Sequence, residues 1–131
     1  MSSFQYDPPP SQSDGFLQSV RLVDDGEPIA TAHWHAAPGD ADGVVQILDF
    51  RVDPSRGRRG HGKRLLAAVI EQCLVYHKLR KRPFRRLWLT LHHKQQVIAR
   101  AFFLSQGFTH TATIKDIAAD GDLLVYVRTF D

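Results

Sequence analysis

Asparagine is absent from this chain of 131 residues, and cysteine occurs only once. The single cysteine, Cys73, excludes an intrachain disulfide and is typical of a protein kept in a reducing compartment. No apolar run approaches the roughly 18 residues that cross a bilayer. The N-terminus lacks the basic and apolar regions of a secretion signal. We therefore expect a cytoplasmic protein without a membrane partner.

Acidic residues are scarce in the middle of the chain. Between Arg51 and Lys94 only Asp53 and Glu71 are acidic, whereas the same span holds 13 of the 17 lysine and arginine residues. The net charge of +3 therefore conceals a strongly basic centre flanked by more acidic ends. Such a centre attracts polyanions, either the phosphates of a nucleotide or a nucleic acid.

The pattern of apolar residues predicts an α/β fold with a mixed, mostly antiparallel sheet and two main helices, in the order β-β-β-α-β-α-β-β. Residues 1–15 are rich in proline, serine and glutamine and are expected to be a flexible leader, and residues 16–131 a single domain. The expected strands cover residues 16–23, 29–36, 44–52, 87–91, 108–114 and 123–130. The expected helices cover residues 61–79 and about 94–106.

The segment before the first helix, Gly57 to Arg64 (GRRGHGKR), is rich in glycine and in basic residues. Glycines let backbone N–H groups converge on an anion. The first turn of the helix adds unpaired N–H groups and the positive end of the helix dipole. The segment therefore predicts a pyrophosphate-binding site, with a basic turn of solvated charges as the alternative.

Two other phosphate-binding motifs do not fit this segment. A Walker A loop needs a Ser or Thr hydroxyl where Arg64 stands, and no later strand ends in the acid that makes the second metal contact. A dinucleotide fingerprint needs a third glycine, which Gly60 to Leu65 (GHGKRL) lacks.

Two motifs resemble one family, the GCN5-related N-acetyltransferases. Val52-Asp-Pro54, followed by Gly60-His-Gly62 at the start of a helix, is similar to the family's motif A. Gln96 to Phe108 (QVIARAFFLSQGF) is similar to its Asn-x-x-Ala-x-x-Phe-Tyr-x-x-x-Gly-Phe signature. The resemblance implies transfer of acetyl from acetyl-CoA, a co-substrate, to a primary amine of a small molecule or protein, by direct attack and without a metal.

The resemblance also implies which residues hold the co-substrate. The pantetheine and the thioester carbonyl would lie on the backbone of Phe50, Arg51 and Val52. The pyrophosphate would be held by Arg58, Arg59, Gly60, His61, Gly62, Lys63 and Arg64. Gln96, Ala99 and Phe103 share one face of the second helix and would contact the rest of the cofactor.

Three departures from the family pattern affect these expectations. Phe103 stands where a tyrosine often protonates the departing thiolate, and a phenyl ring has no proton to donate. Gln46 stands where histone-type members carry a glutamate base. The family's first strand and the two helices after it have no counterpart in the leader. We therefore expect an acceptor site that is open or completed by a second subunit of a homodimer, with an acyl-CoA-binding module of little turnover as the alternative function.

Four residues are candidates for proton transfer. Asp49 is the only carboxylate of the third strand and is either a base or an amine-orienting group, with an ion pair to Arg51 as the alternative. His92 and His93 follow the fourth strand, and imidazoles suit proton transfer near neutral pH. Tyr126 on the last strand is a candidate acid.

The remaining histidines and cations have less specific interpretations. His33 and His35 flank Trp34 on the second expected strand and could line the acceptor pocket. The histidine pairs lack an evident third metal ligand, so no metal is expected. The basic run from Lys78 to Arg86 is interpreted as solvated charge at a helix end, and no nucleic-acid partner is expected.

Overall fold

A computed structural model describes residues 2–7, 18–36, 43–54, 60–94, 96–118 and 121–130. Within these ranges seven strands and two helices follow the order β-β-β-β-α-β-α-β-β. The α/β class and the mostly antiparallel sheet predicted from the sequence are confirmed, with one strand more than expected. Backbone contacts divide the chain into two compact units, Met1–Phe84 and Arg85–Asp131, and each is described by itself. The single domain over residues 16–131 stays a prediction.

The first unit contains four antiparallel strands, which lie side by side in chain order, and one helix. The strands are β1 (Ser2–Asp7), β2 (Gln18–Asp24), β3 (Glu27–Ala36) and β4 (Val44–Val52), and the helix is α1 (His61–Leu79). The predicted bounds of α1 and of the strand before it are confirmed.

Strand β1 corrects two expectations, namely that residues 1–15 are a flexible leader and that no strand precedes the hairpin. Phe4 and Tyr6 alternate with exposed residues and pair with Leu22 and Val20 of β2. This alternation extends over only six residues, so the polar composition of the whole segment obscured it. Residues 8–17, which include the rest of the expected leader, lie outside the described residues.

The turn between β2 and β3 follows from its sequence. Asp25 and Gly26 both have positive φ, at 51° and 83°. Two successive residues of this kind form the type I′ turn that matches the twist of a two-residue hairpin, and Asp-Gly is among its preferred sequences. The hairpin predicted at this position is confirmed.

Helix α1 packs against β2, β3 and β4 through its apolar side. Leu65, Leu66, Val69 and Cys73 recur at helical spacing and are buried there. On the sheet, Val20 and Leu22 of β2 and the alternate residues of β3 complete this core: Ala30, Ala32 and Trp34. The opposite face of β3 carries half-exposed polar side chains.

The second unit contains strands β5 (Arg86–His92), β6 (Thr109–Ala118) and β7 (Gly121–Thr129) and helix α2 (Val97–Ser105). Strand β7 pairs antiparallel with both β5 and β6 and lies between them. Helix α2 packs against β5 and β6. It starts three residues later than the predicted start at about 94, and Gln96, just before it, is hydrogen-bonded back to His92 at the end of β5.

Among the described residues, no helix combines the length and the apolar character that crossing a bilayer requires.

Candidate functional site

The N-terminus of α1 follows β4 closely and is not capped by a side chain. Gly60 precedes the helix in the left-handed conformation, with φ 75° and ψ 16°. The first helical hydrogen bond is donated by the Arg64 N–H to the Gly60 carbonyl at 3.0 Å. The first turn contains no acidic residue. The backbone N–H groups of residues 61–63 therefore present a positive helix end that the turn's own side chains do not neutralise.

Two features of this helix end suit a diphosphate. A Cβ atom built on Gly60 meets no heavy atom of the described residues within 4 Å, so these residues leave room for a ligand close to the backbone. Nδ1 of His61 is buried and has no hydrogen-bond partner among the residues that the structure describes. A buried polar atom of this kind is uncommon and fits a site that a ligand completes. The residues present therefore fit the pyrophosphate of a coenzyme.

Of the basic side chains predicted to surround the pyrophosphate, Lys63 and Arg64 are described, and they lie in different places. Lys63 is exposed at the helix end. Arg64 instead extends to β1, where its Nη2 donates a hydrogen bond to Ser2 Oγ at 2.8 Å and its guanidinium lies 5.8 Å from the centre of the Phe4 ring. Arg58 and Arg59 lie outside the described residues.

Strand β4 carries the other predicted contacts in this unit. The residues Phe50, Arg51 and Val52 pair in register with β3. The ladder shifts at His33, which pairs with Asp49, because Leu48 is an extra residue in β4. Such a bulge twists a strand and redirects its side chains, and bulges are frequent beside active sites.

Asp49 contacts one arginine and one histidine on the half-exposed face of this sheet. Its Oδ2 accepts a hydrogen bond from Nε of Arg51 at 3.0 Å and forms a salt bridge with Nη2 of Arg51 at 2.9 Å. The same oxygen lies 3.4 Å from Nδ1 of His33. The ion pair with Arg51 that the sequence left as an alternative is therefore present. His33 of β3 contacts the same carboxylate.

His92 and His93 are held by backbone hydrogen bonds at the end of β5. Nδ1 of His92 accepts a hydrogen bond from the Lys94 N–H at 3.2 Å, and Nδ1 of His93 accepts one from the Asp122 N–H at 3.3 Å. A neutral imidazole has a single unprotonated nitrogen, and here that nitrogen is already an acceptor. To take a proton from an amine, either ring would first have to break its bond to the backbone.

Gln96 closes the turn that connects β5 to α2. Its Oε1 accepts a hydrogen bond from the His92 N–H at 2.6 Å, and its N–H donates to the His92 carbonyl at 3.1 Å. The amide nitrogen of the side chain is then the group that it can offer to a ligand. Ala99 is half-buried on the following turn of α2.

Phe103 is a core residue at the end of α2. The Phe108 N–H donates to the Phe103 carbonyl at 3.1 Å and the Gly107 N–H donates to the Leu104 carbonyl at 3.3 Å. With Gly107 at φ 87°, these bonds define a Schellman C-terminus, and the Phe103 and Phe108 rings form its apolar contact at 5.1 Å. Phe103 is 1% exposed, which supports a packing role for this position.

Tyr126 is buried on β7 beside a cation that the sequence analysis did not identify. Its hydroxyl accepts a hydrogen bond from Arg100 Nε at 3.4 Å, and Arg100 Nη1 donates to the His93 carbonyl at 2.8 Å. The His110 ring stacks on Tyr126 at 5.5 Å. Arg100 is the only charged residue of α2, and a lone cation within an apolar helix was the signal that could have identified it.

Neither Cys73 nor a metal-binding group of the described residues adds a reactive centre to this site. Cys73 is buried in the core, and burial raises the pKa of its thiol well above the usual range. Within the ranges that the structure describes, no group of three or more His, Cys, Asp or Glu side chains could hold a metal ion.

Residues 3–108 match the model of the acetyltransferase (GNAT) family. The chain belongs to this family. The match begins at Ser3, the second residue of β1, and ends at Phe108, the last residue of the Schellman motif. A comparison with curated proteins gave no match.

Several solved structures share this GNAT fold. The IAA acetyltransferase from Bacillus cereus has a TM-score of 0.77 at 12% identity, over 99% of this chain and 100% of that chain. The ribosomal-protein-S18-alanine N-acetyltransferase from Escherichia coli has a TM-score of 0.73 at 19% identity, over 98% and 94%. The PaiA N-acetyltransferase from Thermoplasma acidophilum, solved with coenzyme A, has a TM-score of 0.68 at 16% identity, over 92% and 65%. At these identities the likeness concerns the fold alone.

Proposed function

We propose that this GNAT protein transfers the acetyl group of acetyl-CoA to a primary amine by direct attack. The observation that carries the proposal is the N-terminus of α1, where no side chain of the described residues caps the helix and none of their heavy atoms lies within 4 Å of a Cβ built on Gly60. Family membership supports acetyl transfer in general. The neighbour solved with coenzyme A supports an acyl-CoA as the donor.

The proposed binding mode uses the groups described in the first unit. The N–H groups of residues 61–63 hold the diphosphate, with Lys63 adding charge. The backbone of Phe50 to Val52 holds the pantetheine. Gln96 and Ala99 remain proposed contacts to the cofactor, as the resemblance implies.

The proposed reaction forms a C–N bond and breaks a C–S bond. The amine nitrogen is uncharged, and its lone pair attacks the thioester carbonyl carbon. The tetrahedral intermediate that forms then expels the thiolate of coenzyme A. The nitrogen loses one proton to a base, and the thiolate takes up one proton to become the thiol. A positioned base or acid typically contributes about 10²–10⁴-fold to such a step.

A second function is an acyl-CoA-binding module with little turnover. The observation that favours it is the burial of Phe103 in the Schellman contact, which places a packing residue where the family often has a tyrosine. Tyr126 remains the proposed replacement for the acid.

The experiment compares Gly60→Asp with Gly60→Asn by calorimetric titration of acetyl-CoA. Both new residues tolerate the left-handed conformation of Gly60, so the pair differs mainly in one negative charge. Repulsion between that charge and a diphosphate held at the helix end would be worth about 1–3 kcal/mol in a solvent-exposed site. We expect Gly60→Asp to bind acetyl-CoA about 10- to 100-fold more weakly than Gly60→Asn does.

Two further titrations test the specificity of the site, and an acetylation assay separates the candidate functions. Desulfo-coenzyme A should bind the wild-type protein as acetyl-CoA does, and ATP should bind more weakly. Equal weakening by Gly60→Asp and Gly60→Asn, or failure of the wild type to bind acetyl-CoA, would contradict the site. Binding without acetylation of any amine would support the module instead of the enzyme.

A further inference from the structure

A polar row crosses the face of the first unit's sheet that is turned away from α1. Strand β3 alternates between buried residues on the α1 side and half-exposed Thr31, His33 and His35 on the other side. Because residues that pair across antiparallel strands share a face, Ser19 of β2 and Asp49 of β4 lie beside His33. This row contains a titratable group and a carboxylate in contact.

The contact between His33 and Asp49 determines which nitrogen of the ring can act. Nδ1 of His33 is the nitrogen that faces the carboxylate, at 3.4 Å from Oδ2. A carboxylate only accepts hydrogen bonds, so it favours the form of the imidazole with the proton on Nδ1. The lone pair of the neutral ring is then on Nε2, directed away from Asp49.

This arrangement is the reverse of that at His92 and His93. In those two rings a backbone N–H occupies Nδ1, so the unprotonated nitrogen is already used. In His33 a carboxylate occupies Nδ1, so the unprotonated nitrogen is available to a substrate. Of these three histidines, His33 is the one arranged as a base.

We propose that His33 is the catalytic base of this protein and that Asp49 is the positioning residue that fixes its tautomer. The proposal rests on the proposed acetyl transfer. Nε2 of His33 takes the proton that the amine nitrogen loses as the C–N bond forms. Asp49 stabilises the resulting imidazolium, which then releases the proton to solvent. The departing thiolate takes up a different proton, which does not come from His33.

The charged groups around His33 come from four strands. Asp49 and Arg51 face it from β4, Arg21 from β2 and Asp7 from β1, and His35 is on β3 itself. Arg51 shares Oδ2 of Asp49 with His33, but its side chain is 78% exposed, so this pair is screened by solvent. Arg51 therefore orients the carboxylate without preventing its contact with His33.

The test measures acetyl transfer by His33→Gln, Asp49→Asn and the control Thr31→Val, each checked for folding by its melting temperature. Thr31 occupies the same face of β3 and is half-exposed, so Thr31→Val reports general disturbance of that face. The donor is acetyl-CoA, and the acceptors are spermidine, tyramine and two peptides, one with a free N-terminal amine and one with an internal lysine.

We expect His33→Gln to lower kcat about 10²–10³-fold, with KM for acetyl-CoA nearly unchanged. Because the base must be neutral, wild-type activity should fall as the pH decreases and the imidazole becomes protonated, and His33→Gln should lose this acid-side dependence. Asp49→Asn should lower kcat about tenfold. Nitrogen NMR at a pH where the His33 ring is neutral should also show that Asp49→Asn moves the ring proton away from Nδ1.

The outcomes distinguish this inference from the proposed function. Failure of the wild type to acetylate any acceptor contradicts the proposed function and the base together. Two outcomes contradict only the role of His33 as the base. One is wild-type transfer that His33→Gln and Thr31→Val reduce equally. The other is a neutral His33 in the wild type with its proton on Nε2.

Discussion

The imidazole of His93 lies against the backbone of Gly121. A Cβ atom at Gly121 would come within 2.6 Å of Cε1 of His93, and Gly121 has φ 145°, a conformation that favours glycine. The His93 N–H also donates to the Asp122 carbonyl at 3.2 Å. His93 thus connects the turn after β5 to the start of β7, and at the scale of a residue its first role is structural.

We predict that Gly121→Ala destabilises the protein by about 1–3 kcal/mol more than Gly26→Ala does. Gly26 has φ 83° and a Cβ there meets no heavy atom of the described residues within 4 Å, whereas at Gly121 both the φ of 145° and the contact with His93 oppose a Cβ. Urea unfolding of the two variants measures the difference. Equal losses of stability would show that the His93 ring moves aside without cost.

At the scale of an element, the C-terminus of α2 depends on one pair of rings. Phe103 and Phe108 are each 1% exposed and form the apolar contact that closes the Schellman motif. The motif is readable from the sequence, because Gly107 is followed by an aromatic residue after a helical pattern. The burial of its first ring, Phe103, in the core is decided by packing, which the sequence pattern does not show.

We predict that Phe108→Ala costs about 3–4 kcal/mol of unfolding free energy, because it opens a cavity and removes this contact. The control is Leu104→Ala, in the same turn of α2, where the side chain is 50% exposed and the expected cost is below about 1 kcal/mol. Equilibrium urea unfolding compares the two variants. A Phe108→Ala cost as small as that of Leu104→Ala would contradict the packing role.

At the scale of the whole molecule, charge is distributed unevenly along the chain. The span from Arg51 to Lys94 carries 13 lysine and arginine residues and two acidic ones, and it includes the N-terminus of α1. A basic region around an anion site raises the local concentration of an anionic ligand, and salt screens the effect within about 10 Å at 0.1 M.

We predict that the affinity for acetyl-CoA falls as salt is raised from about 0.05 to 0.5 M, with a smaller slope for dephospho-coenzyme A, because that ligand carries fewer phosphate charges. Calorimetric titration at four salt concentrations gives both slopes. An affinity for acetyl-CoA that does not depend on salt would contradict the role of the basic centre in binding.

The sequence by itself determined most of the helices and strands and the fold class, since these depend on local rules, and it predicts a phosphate-binding segment. The spacing of Leu65, Leu66 and Val69 specifies α1, and Asp25-Gly26 specifies a tight turn. Gly60, just before α1, predicts an anion site through backbone geometry alone. These features need only residues that are close along the chain, so they can be predicted without knowledge of the packing.

Only the tertiary structure decided which side chains are arranged for chemistry. Strand register brings His33 of β3 to Asp49 of β4, and the bulge at Leu48 sets that register, whereas sequence spacing does not reveal it. Long-range pairing likewise converts residues 2–7 from an apparent leader into β1, and backbone contacts with β7 occupy His93. Such contacts depend on the relative placement of strands that are distant along the chain, which no local pattern specifies.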